Sequence, residues 1–94
     1  MATPAPFTVT VTEAALELME EDRGVDAQTY TVTTLEELLE LSWACGTAAC
    51  ESDLAWSMEE VWGSDAAEIA AARRVASALE QQIMTGCEHF GMAV

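Results

Sequence analysis

Residues 64–86 read SDAAEIAAARRVASALEQQIMTG, the longest helix-forming stretch in the chain. Ile69, Ala72, Val75, Ala76, Leu79 and Ile83 recur three and four positions apart and make one apolar stripe. Five of the other fifteen positions over 65–85 are alanine, which lets neighbouring helices approach closely and on more than one side. The spacing predicts a helix over 65–85, capped by Ser64 and closed by Gly86. Such a helix is either the centre of the fold or half of a homodimer seam. Arg73 and Arg74, near its middle, relieve an acidic surround.

Working towards the N-terminus, DLAWSMEEVW (53–62) predicts a helix capped by Ser52 and ended by Gly63. Leu54, Met58, Val61 and Trp62 form its apolar face, with Asp53, Glu59 and Glu60 opposite. Trp56 falls among those three acids. Residues 47–52 read as a connector. LEELLELSWAC (35–45) predicts a helix that stops near Gly46. Thr34 and Glu37 form a capping box at its start, with Glu37 reaching back to the Thr34 amide. Glu36, Glu37 and Glu40 share one arc against Leu35, Leu38, Leu39 and Leu41. Trp43 and Trp62 are assigned to the core.

TYTVT (29–33) and FTVTV (7–11) alternate apolar with polar residues and predict two strands, each with one buried face. Between them EAALELMEEDR (13–23), capped by Thr12 and ended at Gly24, predicts a helix with Glu13, Glu17, Glu20 and Glu21 on one side. Residues 1–6 read as a flexible, proline-bearing arm. The tail CEHFGMAV (87–94) reads as a third strand or an apolar plug. The whole is one compact α+β domain over 1–94, helix-rich, with about four helices and a two- to three-stranded sheet.

Charge is the strongest global signal. Seventeen acids face three arginines, no lysine is present, and the net charge is −14. Thirteen of the acids lie between Glu13 and Glu60, against the single base Arg23. Phosphates would repel such a chain, which argues against direct nucleic-acid binding and against an anionic membrane. Its natural partners are basic surfaces, and those most often exist to hold nucleic acid. No apolar run is long enough to span a bilayer. The start, MATPAPFTVTV, lacks the basic and apolar regions of a signal peptide, and an odd cysteine count argues against a secreted disulfide framework. A reducing cytoplasm is the expected setting.

Cys45, Cys50, Cys87 and His89 fall into two short clusters, WACGTAACES (43–52) and GCEHF (86–90). A Cys3His zinc set is chemically permissible. The Cys-x4-Cys spacing is wide for a knuckle, Cys-x-His demands an extended backbone, and a strongly negative setting does not activate a redox pair. The alternative is that the cysteines are small apolar core residues. No metal or cofactor is expected. No enzyme is expected either. Cys87 and His89 lack an orienting third group, the carboxylates are placed on solvated helix faces, and no phosphate-cradling glycine motif occurs.

In its composition, though in no particular motif, the chain resembles short acidic inhibitors of nucleic-acid machinery, such as phage-encoded anti-CRISPR and DNA-mimic proteins. The resemblance implies a protein that occupies the basic groove of a nucleic-acid-binding protein or ribonucleoprotein. The residues expected to make that contact are Glu13, Glu17, Glu20, Glu21, Glu36, Glu37, Glu40, Asp53, Glu59 and Glu60, with Trp56 as aromatic anchor. Two other readings stand beside it. One is a zinc-stabilised module built on Cys45, Cys50, Cys87 and His89. The other is a helical interaction or assembly subunit, dimeric through 65–85, whose acidity only keeps it soluble.

Overall fold

The alternating stretches pair first. In the computed structural model, which describes residues 5–19 and 23–91, β1 (Phe7–Thr10) runs antiparallel to β2 (Thr29–Val32). The register matches Phe7 with Val32 and Val9 with Tyr30, so the apolar side chains share one face and the threonines take the other. Val9 and Val32 are buried; Thr8, Thr10, Thr29 and Thr31 face water. The sheet has these two strands among the described residues.

Among the described residues four helices follow the expected order, three of them with shifted ends. α1 (Glu13–Glu17) is capped by Thr12, whose hydroxyl accepts the Ala15 amide at 3.1 Å. It is much shorter than the predicted 13–23. Its last amides, Leu18 and Met19, turn back onto Ala15 and Leu16 three residues earlier, which tightens and ends the helix. The acids explain this. Glu17, Glu20 and Glu21 would stack like charges at helical spacing on a helix C-terminus, where negative charge opposes the dipole. Glu20 and Glu21 themselves lie outside the described residues.

α2 (Leu35–Cys45) has the predicted bounds, and Gly46 takes a positive φ of 59° immediately after it. Thr34 Oγ1 accepts the Glu37 amide at 3.1 Å. The return arm of the box differs. Glu37 accepts the Thr33 hydroxyl at 2.7 Å and the Thr33 amide at 3.4 Å, one residue before the expected one. A 3-10 turn (Gly46–Ala49) leads into α3 (Glu51–Glu60). α3 begins ahead of Ser52 and has no side-chain cap.

α4 (Ala66–His89) starts one residue later than predicted and runs four residues further. Asp65, not Ser64, caps it, accepting the Glu68 amide at 2.8 Å. The Ser64 amide donates to Met58 O, which places Ser64 in the turn after α3, one residue ahead of the cap. Gly86 does not stop the helix. The left-handed glycine is Gly91, at φ 84°. Residues 87–89 are therefore helical rather than a third strand, and Phe90 packs onto the core; residues 92–94 of the tail lie outside the described residues, as do 1–4 of the arm.

α4 is the centre of the fold. Ala72, Ala76, Leu79, Ile83 and Cys87 are buried along one stripe at three- and four-residue spacing. Its C-terminal half joins Val9, Val11, Val32, Leu38, Leu41 and Cys45 in the main core. Its N-terminal half, through Ala72 and Ala76, packs with Leu54 and Met58 of α3 in a second cluster. Leu18 touches both. Gln82 fastens β1 to α4 with a paired contact to the Thr10 backbone, accepting its amide at 2.8 Å and donating to its carbonyl at 3.0 Å. The opposite face of α4, with Ala67, Ala70, Ala71, Arg74 and Ala78, stays exposed, so the helix is buried on one side only.

Gly86 marks the tightest packing. A Cβ there would lie 2.8 Å from Leu38 Cδ2 and 2.9 Å from Phe7 Cε2. Alanine improves helix propensity by about 1 kcal/mol over glycine. Overpacking an enclosed site costs about 1–3 kcal/mol, and Leu38 is fully buried with nowhere to retreat. Gly86→Ala should therefore lower stability, by roughly 1 kcal/mol net, in urea unfolding. An unchanged or raised midpoint would mean that Phe7 and Leu38 separate freely.

Candidate functional site

All three tryptophans are on the surface. Trp43 is 69% exposed, Trp56 62% and Trp62 46%. For Trp43 and Trp62 this corrects the core assignment, and each has its own cause. On α2, Leu38, Leu41 and Cys45 fill the buried side. Leu35, Leu39 and Trp43 follow at four-residue steps, drifting only about 40° each, and lie well around the helix from that side. The apolar arc is wider than the core can cover, and Leu39 as well as Trp43 is left in water. On α3 the helix ends at Glu60, so helical projection no longer applies to Val61 and Trp62. The chain turns away through Gly63, at φ 63°, and exposes both.

Trp56 lies mid-helix on α3 with Asp53, Glu59 and Glu60 three or four residues away, all exposed. It is an indole surrounded by carboxylates. Glu36, Glu37 and Glu40 are exposed on α2, although Glu37 is also tied to Thr33. Glu13 and Glu17 are exposed on α1. The two longer acidic helices are arrayed along α4, α2 on its C-terminal half and α3 on its N-terminal half. The acids therefore spread over an elongated body of 50 × 26 × 16 Å.

The bases are partly consumed within the chain. Arg73 meets Glu51 at 2.6 Å and ties the first turn of α3 to α4. Arg23 lies over the Trp43 ring, 4.4 Å from its centroid, and its Nη1 donates to Trp43 O at 2.7 Å. A guanidinium at the C-terminal carbonyls of α2 complements the helix dipole and the face of the indole together. Leu35, Glu36, Leu39, Glu40 and Trp43 line a shallow open trough of about 500 Å³ beside it.

The four soft ligands do not come together. Among the described residues, no three His, Cys, Asp or Glu side chains are grouped to hold a metal ion. Cys45 and Cys87 are buried in the core, while Cys50 sits at the head of α3 with its sulfur 3.8 Å from Ser52 Oγ. The His89 ring is engaged elsewhere. Its Nε2 meets Ala5 O at 2.5 Å, and the ring packs between Phe7 and Phe90. Cys-x-His lies on helical rather than extended backbone, which removes the geometry that a zinc set required.

No family model, curated protein or solved structure matches the chain.

Burial pushes the Cys45 thiol up from 9.0 to about 11. In the unfolded chain this thiol ionises two units earlier. The stability it contributes is complete below pH 9.0 and is lost as the pH rises through about 11. The urea midpoint should fall across that window, and Cys45→Ala should flatten the fall. At pH 8 a disulfide reagent should label one thiol per folded chain quickly, Cys50, and the other two only on unfolding. Fast labelling of all three would contradict the burial of Cys45 and Cys87.

Proposed function

We propose that this chain is a small acidic binding protein that occupies the basic, nucleic-acid-binding surface of a protein or ribonucleoprotein partner. The observation that carries the reading is Trp56, an indole held in water among Asp53, Glu59 and Glu60 on a helix with no base of its own. Burying neither the ring nor the acids, the fold keeps on its surface the residue type most enriched at interface centres. Charge density supports the same reading. One nucleic-acid strand of 50 Å, the length of this molecule, carries about 15 phosphates at 3.4 Å each. The chain carries a net −14. A groove built for one strand's phosphates would meet a comparable charge here. On this proposal its functional counterparts are the nucleic-acid-mimicking inhibitors, anti-CRISPR proteins among them, that its composition resembles.

A second reading is an assembly subunit, paired through 65–85. It is favoured by the exposed face of α4, where Ala70, Ala71, Arg74 and Ala78 carry no acid. Sedimentation of the purified chain separates the two, since the first needs a foreign partner and the second only another copy.

The test is kinetic. With a partner in hand, Glu36→Lys with Glu40→Lys should slow association about tenfold or more at low salt, because steering acts before contact. Glu37 is left unaltered because its carboxylate caps α2. Trp56→Ala should instead raise the dissociation rate about tenfold, as loss of a desolvated anchor does. Nucleic acid should displace the chain from its partner. A complex that survives molar salt and excess nucleic acid, and that binds the charge-reversed variant as well as wild type, contradicts the reading.

A further inference from the structure

Leu35, Leu39 and Trp43 form a ridge at four-residue spacing on α2, and Glu36 and Glu40 run beside it. Leu39 and Trp43 are exposed, and Leu35 is only partly buried against the core. An ordinary solvated helix face would carry polar residues at these places. Instead the ridge spans nine residues, a rise of about 12 Å over its eight steps at 1.5 Å each. That matches the reach of helix anchors placed at i, i+3 or i+4, and i+7, the pattern by which an amphipathic helix lies on an apolar trough.

The flanking charge selects the occupant. α2 holds Glu36, Glu37 and Glu40 and no base. The chain also contains a small example of what its indole accepts. The Arg23 guanidinium stacks 4.4 Å above the Trp43 ring while donating to the same residue's carbonyl. The ridge thus takes apolar side chains along its crest and cations along its acidic edge. A second copy of this chain, itself at −14, is a poor fit to that edge. A nucleic-acid backbone is excluded by the same charge.

We infer that the α2 ridge of Leu35, Leu39 and Trp43, edged by Glu36 and Glu40, docks a cationic amphipathic helix of a partner protein. The inference rests on the proposed basic partner for its charge and goes beyond it in naming the element recognised. It also gives Trp43 and Trp56 different work. Trp43 anchors a helix, while Trp56 belongs to the separate acidic face of α3.

The experiment uses the full chain and three labelled synthetic peptides, read by fluorescence anisotropy at about one Debye length of screening, near 0.1 M salt. The first peptide is an 18-residue leucine, lysine and arginine helix with leucine at i, i+3/i+4 and i+7. The second has the same composition in an order that destroys the apolar face. The third keeps the leucine pattern with glutamine for every base. The first should bind, with the other two at least about tenfold weaker. Leu39→Ala and Trp43→Ala should each weaken it about tenfold, and Trp56→Ala should leave it unchanged. Leu39 is outside the core, so its variant keeps the fold even if loss of the Arg23 stack disturbs Trp43→Ala; far-UV circular dichroism checks both. Equal binding of the scrambled peptide, with no effect of Leu39→Ala, overturns ridge docking but leaves the basic-partner reading standing. Equal binding of the uncharged peptide overturns both. No binding of either cationic peptide overturns both as well.

Discussion

The constraint that orders the main core is the close packing at Gly86, where α4 has no side chain and a Cβ would meet Leu38 of α2 at 2.8 Å and Phe7 of β1 at 2.9 Å. Everything in the main core depends on that approach. It lets Leu38 of α2 and Phe7 of β1 reach the same turn of α4. A glycine inside a helix costs about 1 kcal/mol in propensity. Here the cost is offset by the contact it permits, which orders two elements on one helix.

The same economy explains the surface. α4 buries one stripe, and most of the residues along it are small. Neither core cluster contains a tryptophan. Trp43 and Trp56 lie outside on helices that also carry acids, and Trp62 lies outside just past the end of α3. An exposed indole in water is unfavourable for a monomer, while a desolvated one at the centre of a contact is among the strongest anchors available. Carboxylates around it add long-range attraction to a basic partner and discourage self-association. Arg23 covers one face of Trp43 from within the chain. Among the described residues no base covers Trp56 in the same way.

Much of the fold was legible because local signals agreed. Thr34 and Glu37 at one end and Gly46 at the other framed α2, and strict alternation placed β1 and β2 within a residue. The stripe on α4 from Ile69 to Ile83 followed its spacing. What misled was choice between equivalent signals and the span of a face. Gly86 read as the stop, and only tertiary packing shows that it serves close approach while Gly91 takes the left-handed turn. Ser64 read as the cap, and the acceptor of the Glu68 amide is its neighbour Asp65. α1 stopped early because its acids oppose its own dipole. For Trp43 a signal was present. Seven apolar residues in an eleven-residue helix exceed what one buried side can hold, so some must face water. Which ones is read from the centre of the arc, near Leu38 and Leu41. Trp62 was misplaced because the periodicity was carried past the end of α3.

Carboxylate footprinting tests the central claim most directly. The chain, free and in complex with its captured partner, is treated with a carbodiimide and a labelled amine, and the extent of modification is read at each acid by mass spectrometry. On this account Glu36, Glu40, Asp53, Glu59 and Glu60 lose reactivity in the complex, while Glu80 and Glu88, on the C-terminal half of α4, keep theirs. Protection at Glu80 and Glu88 with α2 and α3 labelled as in the free chain would contradict it, and would leave the acids of those helices as a solvated coat.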